Sequence, residues 1–166
     1  MRKTGRVEGK IAMVTGGASG IGRACGQRLA EQGALVCLLD RNIEDGAKAA
    51  EALGEFVSFA ELDVQDEDAW RGAVEAVVLE HGGLDVLVNA AGVNLREAAE
   101  DVSWESWQQT LHLNLSVPFM LTRALEPAMR RQGLGNVINV ASLQSYRAFP
   151  NGIAYGASKG GIAQLT

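Results

Sequence analysis

Tyr155 and Lys159 stand four residues apart in a stretch, 154–166, that reads as a helix, so their side chains share one face a turn apart. A phenol titrates near ~10 and is a poor base at neutral pH. A neighbouring ammonium stabilises the phenolate and brings it toward the range useful for proton transfer. Ser142 closes an apolar run, 136–142, and its hydroxyl can hold a reacting oxygen. Together these three form an acid/base set for chemistry at a carbon–oxygen bond. Alone, Tyr-x-x-x-Lys describes more readily an exposed pair on a surface helix, with Ser142 as a cap.

A second group of residues changes that balance. The first apolar run leads straight into Thr15-Gly16-Gly17-Ala18-Ser19-Gly20-Ile21-Gly22, and a helical pattern follows. Glycines there permit a tight strand-to-helix turn, let backbone N–H groups reach a pyrophosphate, and allow close helix–strand packing. The helix N-terminus then presents its partial positive charge to the phosphates. Asp40 ends the second apolar run, about 20 residues beyond the loop, where a carboxylate accepts hydrogen bonds from the adenosine ribose and repels a 2′-phosphate. A structural turn followed by a helix-capping Asp40 is the competing reading, and the spacing disfavours it.

These residues need a scaffold, and the chain supplies one pattern throughout. Short apolar runs at 10–15, 35–40, 57–62, 84–89 and 136–142 alternate with helical periodicity at 21–32, 43–53, 66–81 and 104–131. Gly33, Gly54, Gly82 and Gly133 punctuate the helix ends, where a left-handed residue is wanted. Strands that are apolar throughout are covered on both faces, as in parallel sheets. The expectation is one α/β domain over 1–166, a doubly wound parallel sheet with helices on both faces.

TGGASGIG resembles the Thr-Gly-x-x-x-Gly-x-Gly signature of the short-chain dehydrogenase/reductase family, a Rossmann-type fold. Leu87-Val88-Asn89-Ala90-Ala91-Gly92 is similar to its Asn-Asn-Ala-Gly segment, with Ala90 in place of the second Asn. Asn114, Ser142 and Tyr155-Gly156-Ala157-Ser158-Lys159 match the family's catalytic Asn, Ser and Tyr-x-x-x-Lys in order. The resemblance implies that Tyr155 is the general acid/base and that Lys159 assists it and holds the nicotinamide ribose. Ser142 would polarise the reacting oxygen, and Asn114 would place a water beside Lys159. It also implies a cofactor site of Gly16, Ser19, Gly20, Ile21, Gly22, Asp40, Arg41, Asp63, Val64, Asn89, Gly92, Tyr155 and Lys159. NAD is expected over NADP because of Asp40 and of Ser19, a position often basic in NADP-preferring members; Arg41 pulls the other way.

The implied activity is hydride transfer between a nicotinamide cofactor and an alcohol or carbonyl. Residues 142–150 resemble sugar-acid and polyol dehydrogenases of the family, and a 3-oxoacyl-thioester reductase would look similar here. Family members continue beyond the position of Thr166 with two further strands and a substrate-covering lobe. The resemblance therefore implies a sheet lacking its last two strands, and it leaves open a nucleotide-binding fragment without turnover. A longer form would be a homodimer or homotetramer.

Composition narrows the setting. With 15 Lys+Arg against 20 Asp+Glu the net charge is −5, which argues against nucleic acid or an anionic membrane surface as partner. At 47% hydrophobic and 21% charged residues, the chain can bury a sizeable core. No apolar run approaches the ~20 residues of a membrane helix, and the basic start, Met1 to Arg6, leads into no signal-like stretch, so a cytoplasmic protein is expected. Cys25 and Cys37 have no metal or redox spacing, and no metal site is expected. His81 and His112 read as helix-end and helix-surface residues, and Trp104 with Trp107 as a helix-packing stripe.

Overall fold

The structure is a computed structural model that describes residues 5–166; the basic start over Met1–Thr4 lies outside the described residues. Strands β1 (Ile11–Thr15), β2 (Leu35–Asp40), β3 (Val57–Glu61), β4 (Val86–Asn89) and β5 (Asn136–Asn139) form one parallel sheet in the order β3-β2-β1-β4-β5. Helices α1 (Gly20–Glu31), α2 (Ile43–Leu53), α3 (Glu67–His81), α4 (Trp104–Leu111), α5 (Val117–Arg131) and α6 (Ile153–Leu165) connect and follow the strands.

The side-chain alternation of the strands explains the two layers of helices. Ile11 and Met13 of β1, with Cys37 and Leu39 of β2, point into a core closed by Trp70, Val74 and Val77 of α3 and by Leu121, Leu125 and Met129 of α5. Ala12, Val14, Val36 and Leu38 point the other way, onto Cys25 and Leu29 of α1 and Ala49 of α2. The central strands are apolar almost throughout because both of their faces are covered, and the polar Thr15, Asp40 and Asn89 stand at their C-terminal ends. The fold is therefore the expected α/β doubly wound sheet. Asp85, just before β4, ties that strand to β1: it accepts from Lys10 Nζ at 2.7 Å and from the Ile11 N–H at 2.9 Å. Gly33, Gly54, Gly82 and Gly133 all hold positive φ, between 79° and 95°, as the helix-end reading requires.

Three expectations need correction. The stretch 104–131 is not one regular helix: a π turn, His112–Ser116, separates α4 from α5. One extra residue per turn is invisible to a 3.6-residue period. The fifth strand stops at Asn139, and Ser142 instead caps a short 3₁₀ turn, Leu143–Ser145. This strand lies at the sheet edge, as a sheet lacking its last two strands implies, but it is not covered on both faces, with Ile138 48% exposed. Finally, Trp104 is 71% exposed, so it does not form a packing stripe with the half-buried Trp107; the residues α4 buries are Ser106 and Thr110.

Candidate functional site

β1 has β2 on one side and β4 on the other, so the winding direction reverses between β1 and β4. The chain ends leaving those two strands diverge there and leave a crevice. A cleft of about 430 Å³ opens at this point, lined by Gly16, Ser19, Gly20, Ile21, Gly22, Asp40, Arg41, Asp63, Val64, Ala91 and Gly92 among others. Thr15 holds its two walls together. Its hydroxyl accepts from the N–H groups of both Ala90 and Ala91 at 3.2 Å. A Cβ at Gly16 would then lie 2.8 Å from the Ala91 nitrogen, and one at Gly22 would lie 2.1 Å from the Gly16 carbonyl oxygen. Only glycine fits either place. Ser19 precedes α1 with extended backbone and makes no side-chain cap, and the first turn carries no acidic residue. The N–H groups of that turn are thus left for a ligand at the cleft.

Asp40 stands at the far wall. Its Oδ2 accepts from the Ala18 N–H at 3.1 Å and its Oδ1 from the Asn42 N–H at 3.0 Å, so backbone donors orient the carboxylate. Each oxygen keeps a further lone pair for a ribose hydroxyl. Asp63 Oδ1 accepts from the Gln65 N–H at 3.0 Å, and Val64 beside it is buried. Asn89 does not line the cleft. It is buried in the sheet, where Nδ2 donates to Asn139 Oδ1 at 2.9 Å and joins β4 to β5.

The opposite end of the cleft meets Asn114 and Lys159. A Cβ at Gly92 would be 3.1 Å from Asn114 Oδ1 and 3.9 Å from Lys159 Nζ, so this glycine lies against both side chains. Lys159 is buried, and its ammonium donates to the Val140 carbonyl at 2.6 Å and lies 5.7 Å from the centre of the Tyr155 ring. Burial pushes the Lys159 ammonium below its ordinary pKa. Asn114, carried by the π turn, is 1% exposed. Its Oδ1 accepts from the Val93 N–H, and its Nδ2 donates to the Val93 carbonyl and to Ser158 Oγ, at 2.8, 2.8 and 3.1 Å. Ser142 Oγ accepts from the Gln144 N–H at 3.1 Å.

The family model of short chain dehydrogenases matches residues 10–166. The chain belongs to this family. It is similar to a cyclopentanol dehydrogenase of Comamonas sp. (38% identical) and a D-threitol dehydrogenase of Mycolicibacterium smegmatis (39%). It is also 35% identical to an NADP-dependent (R)-specific alcohol dehydrogenase of Lentilactobacillus kefiri. These matches cover 98, 97 and 96% of this chain. They cover 66, 63 and 64% of the respective relatives, so the chain spans about two thirds of their length.

Short-chain dehydrogenases are oxidoreductases that use NAD or NADP, and the residues present fit such a group. The glycine cradle leaves no room for a side chain, the α1 N-terminus has no side-chain cap, and the Asp40 carboxylate lines the cleft. Every cofactor residue expected from the sequence borders this cleft except Asn89, which lies within the sheet, and Tyr155 and Lys159, which lie beyond Gly92. Sequence reasoning misses the groups that hold the others. Ser158 donates to the Tyr155 carbonyl at 2.7 Å while receiving Asn114, and Ser145 donates to the Lys159 carbonyl at 2.7 Å. A serine between Tyr155 and Lys159 is the one signal available for Ser158. Nothing local announces Ser145. Among the described residues no group of metal-ligating side chains is assembled, and no helix is long and apolar enough to cross a membrane.

Proposed function

We propose that the protein is an NAD-dependent dehydrogenase acting on an alcohol or its carbonyl counterpart, with polyols and sugar acids as the favoured substrates. One observation carries the reading: the cleft that begins at Asp40 ends at Gly92, against Lys159 and Asn114. A dinucleotide laid along it has its adenosine ribose at Asp40 and its reactive end at the acid/base residues. The bound nicotinamide supplies the hydride acceptor or donor. Ser142 donates its hydroxyl proton to the substrate oxygen and fixes its position. Tyr155 takes the carbinol proton during oxidation and returns it during reduction. Lys159 favours the phenolate through its charge and holds the nicotinamide ribose, while Asn114 braces the backbone at Val93 and places a water beside Lys159. Gly20, Ile21 and Gly22 receive the pyrophosphate on backbone N–H groups, and Asp63 with Val64 borders the adenine.

Asp40 supports NAD over NADP, because a 2′-phosphate beside a carboxylate meets like-charge repulsion. Residues 1–166 are taken as one nucleotide-binding domain. The exposed Trp104 and Phe119 along α4 and α5 support assembly of the whole protein as a homodimer or homotetramer. A second reading is a chain that binds nucleotide without turnover. Reduced-nicotinamide absorbance across polyols, sugar acids, simple alcohols and a 3-oxoacyl thioester separates the readings. Oxidation that Tyr155→Phe abolishes while NADH binding persists is the expected result. NADH binding without turnover on any substrate points to the second reading, and wild-type turnover by Tyr155→Phe removes the mechanism.

A further inference from the structure

Four buried side-chain oxygens lack a hydrogen-bond partner among the described residues, and three of them, on Asn94, Thr110 and Gln144, belong to residues that line two adjoining hollows, one of them bordered by Tyr155. Thr110 is the most enclosed: it is 1% exposed, projects from α4, and lines a niche of about 10 Å³ together with Asn94 and Tyr155. That volume suits one hydroxyl or one water. The niche shares Asn94, Arg96 and Asn151 with an adjoining hollow of about 190 Å³ that Gln144 also lines. The Gln144 amide is held over the start of α6, where a Cβ at Gly152 would come within 2.6 Å of its Oε1. Arg96 and Asn151 adopt positive φ, 54° and 57°, and are the two non-glycine residues that do so among those described.

An unpaired buried hydroxyl is costly, and a valine of the same shape would avoid that cost. The cost is recovered when a ligand supplies the missing partner. We propose that Thr110, Asn94 and Gln144 form a subsite that reads hydroxyl groups of the substrate other than the one being oxidised, so that polyhydroxylated substrates are preferred to mono-alcohols. The inference rests on the dehydrogenase reading for the position of the reacting hydroxyl at Tyr155. A hydroxyl can donate to the two amide oxygens and can bond Thr110 Oγ1 in either sense. The carbonyl of a thioester only accepts, and it leaves both amide oxygens unpaired. Recognition of this kind discriminates strongly, because an analogue lacking the hydroxyl leaves buried polar groups without partners.

The test compares threitol with sec-butanol, which has the same number of carbons, using the full chain loaded with NAD. The wild type is expected to show the higher kcat/KM on threitol. Thr110→Val is expected to lower the threitol-to-sec-butanol ratio roughly 5–10-fold, the worth of one lost hydrogen bond, and Thr110→Ser is expected to restore it. If Thr110→Val does not fold, Asn94→Ala on the loop is read in its place. A wild-type preference for sec-butanol, or equal losses on both alcohols, overturns the subsite while leaving the dehydrogenase reading intact. Calorimetry of threitol with the NADH-loaded chain separates the remaining outcomes. Binding that Thr110→Val weakens, without turnover of either alcohol or of any other substrate in the panel, supports the subsite and sinks the dehydrogenase reading. Absence of threitol binding overturns the subsite.

Discussion

Lys159 illustrates how a single residue can be costly to the fold and useful to the site. Its ammonium is buried and donates to Val140, and desolvation lowers its pKa from the ordinary 10.5. The unfolded chain therefore holds one more proton than the folded chain between the lowered value and 10.5. The destabilisation from this group is full below the folded pKa and is relieved as pH rises through that window. Thermal melts from neutral pH upward should show wild-type Tm rising relative to Lys159→Met; a parallel pH dependence in the two proteins would contradict the burial argument. Asp40 offers a second residue-level test. Asp40→Asn keeps an oxygen for one of the two backbone donors at Ala18 and Asn42, turns its NH2 toward the other, and removes the charge that repels a 2′-phosphate. The NADP-to-NAD affinity ratio should rise about tenfold or more, the worth of a charge-assisted hydrogen bond lost to one cofactor and a repulsion lifted from the other. Fluorescence titration with both reduced cofactors measures it, and an unchanged ratio would mean that Asp40 does not set the preference.

At the scale of elements, the π turn between α4 and α5 decides where Asn114 points. Its widened turn carries Asn114 across to Val93, the segment leaving β4, and to Ser158 in α6, so three parts of the chain meet at one amide. Asn114→Leu conserves volume and strands the Val93 N–H and carbonyl without partners. The expected loss is about 3 kcal/mol, or roughly 6–12 °C in Tm, together with weaker NADH binding because Gly92 rests against this side chain. Differential scanning calorimetry and NADH titration of one variant test both, and an unshifted Tm would mean that the amide holds nothing together. Such elements differ in how legible they are. The Gly16–Gly22 loop, Asp40 and the Tyr155–Lys159 pair can be read from the sequence because each depends on local spacing within one strand–helix junction or one helix. The parallel, doubly wound sheet follows from the alternation of apolar runs, whereas the order of its strands does not. The roles of Thr15, Ser145 and Ser158 depend instead on which distant backbone group the fold brings opposite. The π turn leaves no mark in an apolar period. Val137 and Ile138 of β5 are the same residue types as those of the covered strands, so nothing in the sequence marks Ile138 as 48% exposed.

At the scale of the whole molecule, the two halves of the sheet are unequally protected. β1, β2 and β4 have neighbours on both sides and helices on both faces, and the cleft lined by Gly16, Asp40 and Gly92 is built at their ends. A ligand bound there stabilises this half through mass action, by about 2.7 kcal/mol at a hundredfold excess over Kd. β5 pairs only with β4, and Ile138 and Leu134 are 48% and 74% exposed. An open parallel edge bearing apolar side chains is a template for pairing with another chain. The 166-residue chain expressed alone should therefore self-associate through β5, and NAD should raise its Tm without suppressing that association, because the cleft lies away from the outer edge. Ile138→Lys puts a charge on the edge where the side chain is already half in water, at a cost within the usual ±0.5 kcal/mol or so for surface changes. Size-exclusion chromatography with light scattering, run with and without NAD, should show the variant shifted toward monomer while its NADH affinity stays at the wild-type value. A wild-type chain that is monodisperse across the concentration range, or an Ile138→Lys chain that aggregates as before, would place the vulnerability elsewhere than this edge.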